Sequence, residues 1–148
     1  MLKPSNKTRI MVFGTFDGLH KGHLHFFEQA RKLAQNSYLI VSIARDVNVK
    51  KIKGRPPRQS ERIRLANVKR LKVADQVTLG NKTDYLSHII KIRPQIIALG
   101  YDQSAYTKNL RLLLEQKGLR VKIARLKSHK PHIYKSSLKK NPGVSRSP

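Results

Sequence analysis

The stretch GTFDGLHKGH, residues 14–23, brings three glycines, two histidines and one aspartate together directly after the apolar run RIMVF. His20 and His23 flank Gly22 and lie three residues apart, so at the start of a helix their side chains can project to one side. Histidines donate hydrogen bonds to phosphate oxygens, and when protonated they add positive charge. The spacing therefore indicates chemistry on a phosphate group, for which no nucleophilic serine or cysteine is required.

The position of this stretch also favours phosphate binding, because a strand is predicted to turn into a helix there. A helix beginning near Gly22 presents unpaired backbone amides and the positive end of its dipole. Gly14 and Gly18 allow tight backbone turns, and Gly22 allows a flat group such as a nucleobase to approach the chain. We therefore expect a nucleotide site at the end of the first strand.

Alternating strand-like and helix-like periods predict the elements that must position this stretch. They indicate an α/β fold: one Rossmann-like, doubly wound sheet of five parallel strands with helices on both faces. A basic segment interrupted by Gly and Pro is predicted as a loop over residues 45–60, and a short helix is predicted around residues 133–140. The predicted strands are 9–14, 38–44, 74–80, 95–100 and 119–126, and the predicted helices are 23–35, 61–71, 84–92 and 107–118.

Length and composition limit the possible classes of protein. A chain of 148 residues fits one domain, predicted over residues 9–140, with a flexible N-terminus (1–8) and a flexible basic tail (141–148). The absence of cysteine excludes disulfides and thiolate metal sites and fits a reducing cytoplasm. No apolar run approaches the roughly 20 residues of a membrane span. We therefore expect a cytoplasmic protein with no membrane partner.

The net charge of +24, from 32 Lys and Arg against 8 Asp and Glu, indicates an anionic partner. That partner could be a nucleic acid, a phosphorylated small molecule or an anionic membrane, and the charge could also be a general cation excess. The positive residues are concentrated in segments 45–72 and 127–148. Charge alone does not choose among these partners.

The stretch GTFDGLHKGH resembles the signature of the cytidylyltransferase-like nucleotidyltransferases, whose His-x-Gly-His motif is matched by residues 20–23. Over about residues 9–140 the chain resembles archaeal-type FAD synthases, with glycerol-3-phosphate cytidylyltransferases second; VSIARDVNVKKIKGRPP, ERIRLANVKRLKVADQV and IIALGYDQ carry this resemblance. It implies transfer of a nucleoside monophosphate from a nucleoside triphosphate to a phosphorylated acceptor, with release of pyrophosphate. The implied substrates are ATP and FMN, or CTP and glycerol 3-phosphate, usually with Mg²⁺, and homodimers are common in the family.

The same resemblance implies residue roles. His20 and His23 would stabilise the α-phosphate, and Lys53, or Lys50 or Lys51 in its place, would neutralise the repulsion between triphosphate and acceptor. The family often has an arginine shortly before its Ser/Thr pair, where this chain has His132 and Lys135. The implied nucleotide contacts are Gly14, Thr15, Phe16, Lys21, Gly22, Gly100, Asp102, Ser136 and Ser137, and the implied acceptor contacts are Asp17, Asp46 and Arg62.

Two points stay open in the sequence. No carboxylate cluster for a metal is visible, so Mg²⁺ would be held mainly by substrate phosphates and water. A non-enzymatic protein that binds RNA or DNA through its basic surface, with an inherited nucleotide pocket, is the alternative of another class. The small number of aromatic residues and the lack of a recognised nucleic-acid motif argue against it, although charge alone gives salt-sensitive, nonspecific binding.

Overall fold

The computed structural model describes residues 6–100, 103 and 109–127, which form one parallel sheet with helices packed on both faces. The strands are β1 (Thr8–Gly14), β2 (Ser37–Ile43), β3 (Gln76–Leu79), β4 (Ile96–Leu99) and β5 (Lys122–Arg125). The helices are α1 (Lys21–Arg31), α2 (Asp46–Lys53), α3 (Glu61–Leu71), α4 (Tyr85–Ile92) and α5 (Leu110–Gln116).

The strand order is β3-β2-β1-β4-β5, with every neighbouring pair parallel. The chain moves from β1 outward to β3 and then returns to place β4 on the other side of β1. The order therefore reverses between β1 and β4, and in open α/β sheets ligands bind beyond the carboxyl ends of the strands at such a point. The predicted fold class is confirmed.

Alternate residues of the central strands enter two separate cores. In β1, Ile10 and Val12 pack with Phe27 of α1 and Val68 of α3. Met11 and Phe13 pack on the opposite face with Ile89 of α4 and Leu110 of α5. Because both faces are buried, the strands read as continuous apolar runs rather than as alternating ones.

The predicted loop over residues 45–60 is partly wrong, because residues 46–53 form α2. In this segment glycine and proline occur only after Lys53. Gly54 ends the helix with φ 82°, and Pro56 and Pro57 follow it. Val49 anchors the helix at 4% exposure. One buried apolar residue in a basic, polar segment gave too weak a periodic signal to predict this helix.

Other predicted boundaries differ by a few residues. Helix α1 ends at Arg31 and not near Gln35, although Leu33 and Ala34 still pack against the core as the apolar spacing indicated. Helix α3 has the predicted bounds, because Ser60 accepts a hydrogen bond from the Ile63 amide as an N-terminal cap. Strand β5 is shorter than the predicted 119–126.

Within the described part of the chain, no helix is long and apolar enough to cross a membrane. The predicted helix around residues 133–140 lies outside the described residues, as do 1–5 and the whole predicted tail. The predicted domain limits therefore stay predictions.

Candidate active site

The loop that leaves β1 at the strand-order reversal has a strained and well-packed backbone. Phe16 has φ 54° and is 4% exposed, and Gly18 follows with φ 89°. A Cβ placed on Gly14 would lie 2.4 Å from the Phe16 ring, so the ring itself requires a glycine at that position. The side chain of Phe16 belongs to the core, and only its backbone is available for the predicted nucleotide contact.

The two histidines of the motif form a hydrogen-bonded cap at the start of helix α1. His20 is the N-terminal cap: its Nδ1 accepts a hydrogen bond from the Gly22 amide at 3.0 Å. The His20 amide in turn donates to Nδ1 of His23 at 3.2 Å. The two histidine rings stack with centroids 3.9 Å apart, and His23 and Phe16 form a T-shaped contact with centroids 5.3 Å apart. This reciprocal capping box holds both rings in place at the amino end of the helix.

This arrangement fixes the protonation state of the pair. Because each Nδ1 accepts a hydrogen bond, each neutral ring carries its proton on Nε2. Burial, and then the proximity of His20, lower the pKa of His23 to about 4, and burial also lowers the pKa of His20. Near pH 7 the folded protein therefore presents two neutral Nε2–H donors, not the positive charge considered from the sequence.

Arg64 of α3, which the sequence reasoning missed, fixes the loop from behind. Its side chain is fully buried, and its guanidinium donates to the Thr15 carbonyl (2.9 Å), the Gln59 carbonyl (3.0 Å) and Asp46 Oδ1 (2.6 Å). A buried guanidinium needs several acceptors at once, and three separate segments supply them. A basic residue in a basic segment gave no sequence signal for this role.

The hydrogen bond from Arg64 to the Thr15 carbonyl also orients the backbone amide of Phe16. In a planar trans peptide the carbonyl and the following N–H point in opposite directions. Since Arg64 holds the Thr15 carbonyl, the Phe16 N–H points away from it, and no acceptor among the described residues bonds to that N–H. The geometry thus supports the predicted phosphate contact by the Phe16 amide.

Two predicted acceptor residues have structural partners. Both Asp17 oxygens accept backbone N–H groups, from Arg58 at 2.7 Å and Gln59 at 2.9 Å. Asp46 is the ion-pair partner of Arg64. The Asp17 contacts join the motif loop, residues 15–20 after β1, to the segment between α2 and α3, and the Asp46 contact joins α2 to α3. Both carboxylates therefore act at least as braces, and their predicted acceptor contacts stay predictions.

The remaining predicted cations are exposed. Arg62 lies on the exposed side of α3, and Lys21 lies in the first turn of α1. Lys53 is the last residue of α2 and is not in a loop; Lys50 and Lys51 precede it on the same exposed helix. The structure does not choose among these three lysines.

Gly100 lies where β4 ends beside β1. Its amide donates to Gln103 Oε1 at 2.8 Å, and the Gln103 side-chain amide donates to the Phe13 carbonyl at 2.9 Å. Arg125 donates to the Gly100 carbonyl at 3.1 Å. Gln103, which the sequence reasoning missed, therefore joins the two strands at the order reversal. The predicted nucleotide contacts Asp102, Ser136 and Ser137 lie outside the described residues.

The described residues contain no group of three or more His, Cys, Asp or Glu that could hold a metal ion. In the motif, Nδ1 of each histidine already accepts a backbone N–H, and Nε2 carries a proton. The donor set of this part of the chain therefore does not fit a metal held by protein ligands alone.

The Cytidylyltransferase-like family model matches residues 11–141. The chain belongs to this family. It is therefore a nucleotidyltransferase. The solved structure titled lipopolysaccharide core biosynthesis protein, from Thermoplasma volcanium, is similar with a TM-score of 0.76 and 36% identity, covering 83% of this chain and 98% of that one. A pantoate-beta-alanine ligase from Francisella tularensis, at 15% identity and a TM-score of 0.56, shares the fold; the match covers 84% of this chain and 60% of that one.

Relatives named FAD synthase are similar over most of their length. The protein from Korarchaeum cryptofilum is 47% identical over 119 residues, covering 80% of each chain. The protein from Aciduliprofundum boonei is 40% identical over 121 residues, covering 82% of this chain and 79% of its own. The resemblance seen in the sequence is confirmed.

Proposed function

We propose that this nucleotidyltransferase adenylylates FMN with ATP, forming FAD and pyrophosphate. The relatives named FAD synthase support the substrate pair, and the observation that carries the chemistry is the neutral histidine pair at the start of α1. Glycerol 3-phosphate with CTP is the runner-up pair.

The reaction requires one bond to form and one to break. A phosphate oxygen of FMN bonds to the α-phosphorus of ATP, while the bond from that phosphorus to the oxygen bridging to the β-phosphate breaks. Pyrophosphate leaves with the electron pair. Because the second pKa of a phosphate monoester is about 6, the attacking oxygen is already ionised near pH 7 and needs no general base.

The protein contributes orientation and charge stabilisation. The Nε2–H groups of His20 and His23 donate to non-bridging oxygens of the α-phosphate, where negative charge changes during transfer. The Phe16 and Lys21 amides, which have no hydrogen-bond partner among the described residues, contact the remaining phosphates. Fixed neutral donors suit this task because they need no rearrangement when the transition state forms.

Mg²⁺ would enter as the complex with the triphosphate, as part of the substrate, since the described residues do not fit a protein cage for it. The cytoplasmic location, the homodimer and nonspecific nucleic-acid binding stay predictions.

The test is pyrophosphate release by the purified chain with Mg²⁺, crossing ATP and CTP against FMN, glycerol 3-phosphate and 4′-phosphopantetheine. The matched variant is His20→Asn, because asparagine also caps helices but lacks the imidazole Nε2–H. We expect release with ATP and FMN, and a fall in kcat of roughly 10²–10³ in the variant, as for loss of one transition-state donor. Its melting temperature should stay near that of the wild type.

Release with CTP alone would overturn the substrate pair in favour of the runner-up. An unchanged kcat in His20→Asn would overturn the role of the histidine. No release in any pairing, together with salt-sensitive RNA or DNA binding, would favour the non-enzymatic alternative.

A further inference from the structure

A groove of about 680 Å³ lies on the α4 face of the sheet, between β3 and α4. It begins near Arg9 and Gln76, follows the edge strand, and reaches Gly80 and Arg45 at the carboxyl ends of β3 and β2. From Gln76 to Gly80 the strand rises about 13 Å at 3.3 Å per residue. The groove is therefore elongated, and one of its ends lies at the edge of the sheet that carries the motif.

The groove end at Arg45 is close to the start of the motif loop. The amide of Ala44, the residue before Arg45, donates to the Gly14 carbonyl at 2.9 Å. Gly14 is the first residue of the stretch 14–23. The Gly80 amide likewise bonds to the last residue of β2, at 2.8 Å. A molecule lying in the groove could thus present one end to a triphosphate held at the histidines.

The charge of the groove selects the class of molecule. Four cations line it and no carboxylate does; the cations are Arg9, Arg45, Lys82 and Lys91. Arg45 pairs with Glu61 through Nη1, while its buried Nε has no hydrogen-bond partner among the described residues. A second copy of the chain, at +24, would be repelled from this surface. The volume of the groove lies within the range of small-molecule sites, which is about 300–1,000 Å³.

Neutral polar groups along the groove fit a heterocycle with mixed hydrogen-bonding edges. Gln76 accepts from the Tyr38 hydroxyl through Oε1, which leaves its NH₂ group as a donor. Asn81 Oδ1 accepts two backbone N–H groups of the following turn, so its NH₂ group is likewise left. Ser87 and His88 line the α4 side, and Leu79 supplies an apolar contact.

We propose that this groove is the acceptor pocket, in which FMN lies along β3 with its phosphate at the Arg45 end and its ring system toward Gln76. This rests on the proposed function, and it assigns the flavin to residues outside the motif and outside the predicted acceptor set. Arg45 and Lys82 attract the phosphate, and the Gln76 side-chain amide binds the polar edge of the ring.

The test measures FMN binding directly, by flavin fluorescence, with a non-hydrolysable ATP analogue present. The groove variant is Lys82→Gln, at the phosphate end of the groove. The control is Lys69→Gln, which removes the same charge from α3 on the opposite face of the sheet. We expect the groove variant to raise the Kd for FMN roughly tenfold, through lost attraction to the phosphate, and the control to change it less than about twofold. Riboflavin, which lacks the phosphate, should respond less than FMN to the groove variant.

A second variant, Ser87→Trp, fills the groove from an exposed helix position without changing charge. It should weaken FMN and riboflavin alike, while the thermal stabilisation by the ATP analogue alone is kept. If FAD forms but the groove variants behave as the control does, the pocket assignment is wrong and the proposed function stands. If the wild type neither binds FMN nor forms FAD, the proposed function fails, and the pocket assignment fails with it.

Discussion

In the proposed function, the motif loop and the groove between β3 and α4 bind phosphate in different ways. At the motif, His20 and His23 are neutral, their Nδ1 atoms are bonded to backbone amides, and a buried guanidinium fixes the loop from behind. In the groove, exposed Lys82 and Lys91 are held by no ion pair among the described residues. Fixed dipoles suit a transferring phosphoryl group, whose charge must be met at defined positions, and mobile cations suit capture of an anion.

The largest expected effect comes from breaking the support of the motif loop. Arg64→Met leaves the Thr15 and Gln59 carbonyls and Asp46 without their donor, so we expect a loss of about 3–5 kcal/mol in the free energy of unfolding. Urea denaturation measures this loss. Arg62→Met, on the exposed side of the same helix, should cost less than about 0.5 kcal/mol. Equal costs in the two variants would show that Arg64 does not act as a brace.

A second comparison uses one glycine from each region. Gly14→Ala places a Cβ 2.4 Å from the Phe16 ring, and because the ring is buried we expect a cost of about 1–3 kcal/mol. In Gly80→Ala the nearest atoms are 3.5 and 3.6 Å away, in ordinary contact, so the cost should be below about 1 kcal/mol. Thermal unfolding of both variants checks the difference. A reversed order would mean that the loop repacks around the new methyl group.

These two regions also differ in how far the sequence predicts them. The motif, the parallel sheet and helix α3 were predictable because apolar periods, a capping serine and a glycine-rich turn are local signals. Local patterns do not reveal that Arg64 is buried, because that depends on acceptors from residues 15, 46 and 59 meeting in space.

The groove could not be predicted for a similar reason. It is made by the edge of β3 and one side of α4, and its cations are scattered from residue 9 to residue 91. Nor does the sequence distinguish charged from neutral histidines, since the two rings become neutral through burial and through their reciprocal capping contacts.

The pH dependence of stability tests the neutral state of the motif. In the folded protein the pKa of His23 is lowered to about 4, from 6.5 in the unfolded chain. Between these values the unfolded state binds more protons, so the free energy of unfolding should fall as pH decreases from about 6.5 to about 4. With partial solvent exposure taken into account, we expect a contribution of no more than about 2 kcal/mol.

Urea denaturation at pH 7 and at pH 5 measures this change, with His23→Gln as the comparison. The variant should be less sensitive to pH than the wild type. A variant that loses as much stability as the wild type over that interval would show that His23 is not the group that titrates.

The smallest expected effect separates the two modes of phosphate binding by ionic strength. Raising the salt concentration from 50 to 200 mM shortens the Debye length, so it screens the exposed lysines of the groove but hardly affects neutral donors within hydrogen-bonding distance. The KM for FMN should therefore rise about two- to fivefold, and kcat should change less than about twofold. Steady-state kinetics at fixed, saturating ATP provides the measurement, and in Lys82→Gln the rise in KM should shrink. A kcat that falls with salt as steeply as KM rises would show that mobile cations also stabilise the transition state. Neutral donors would then not be the main source of transition-state stabilisation.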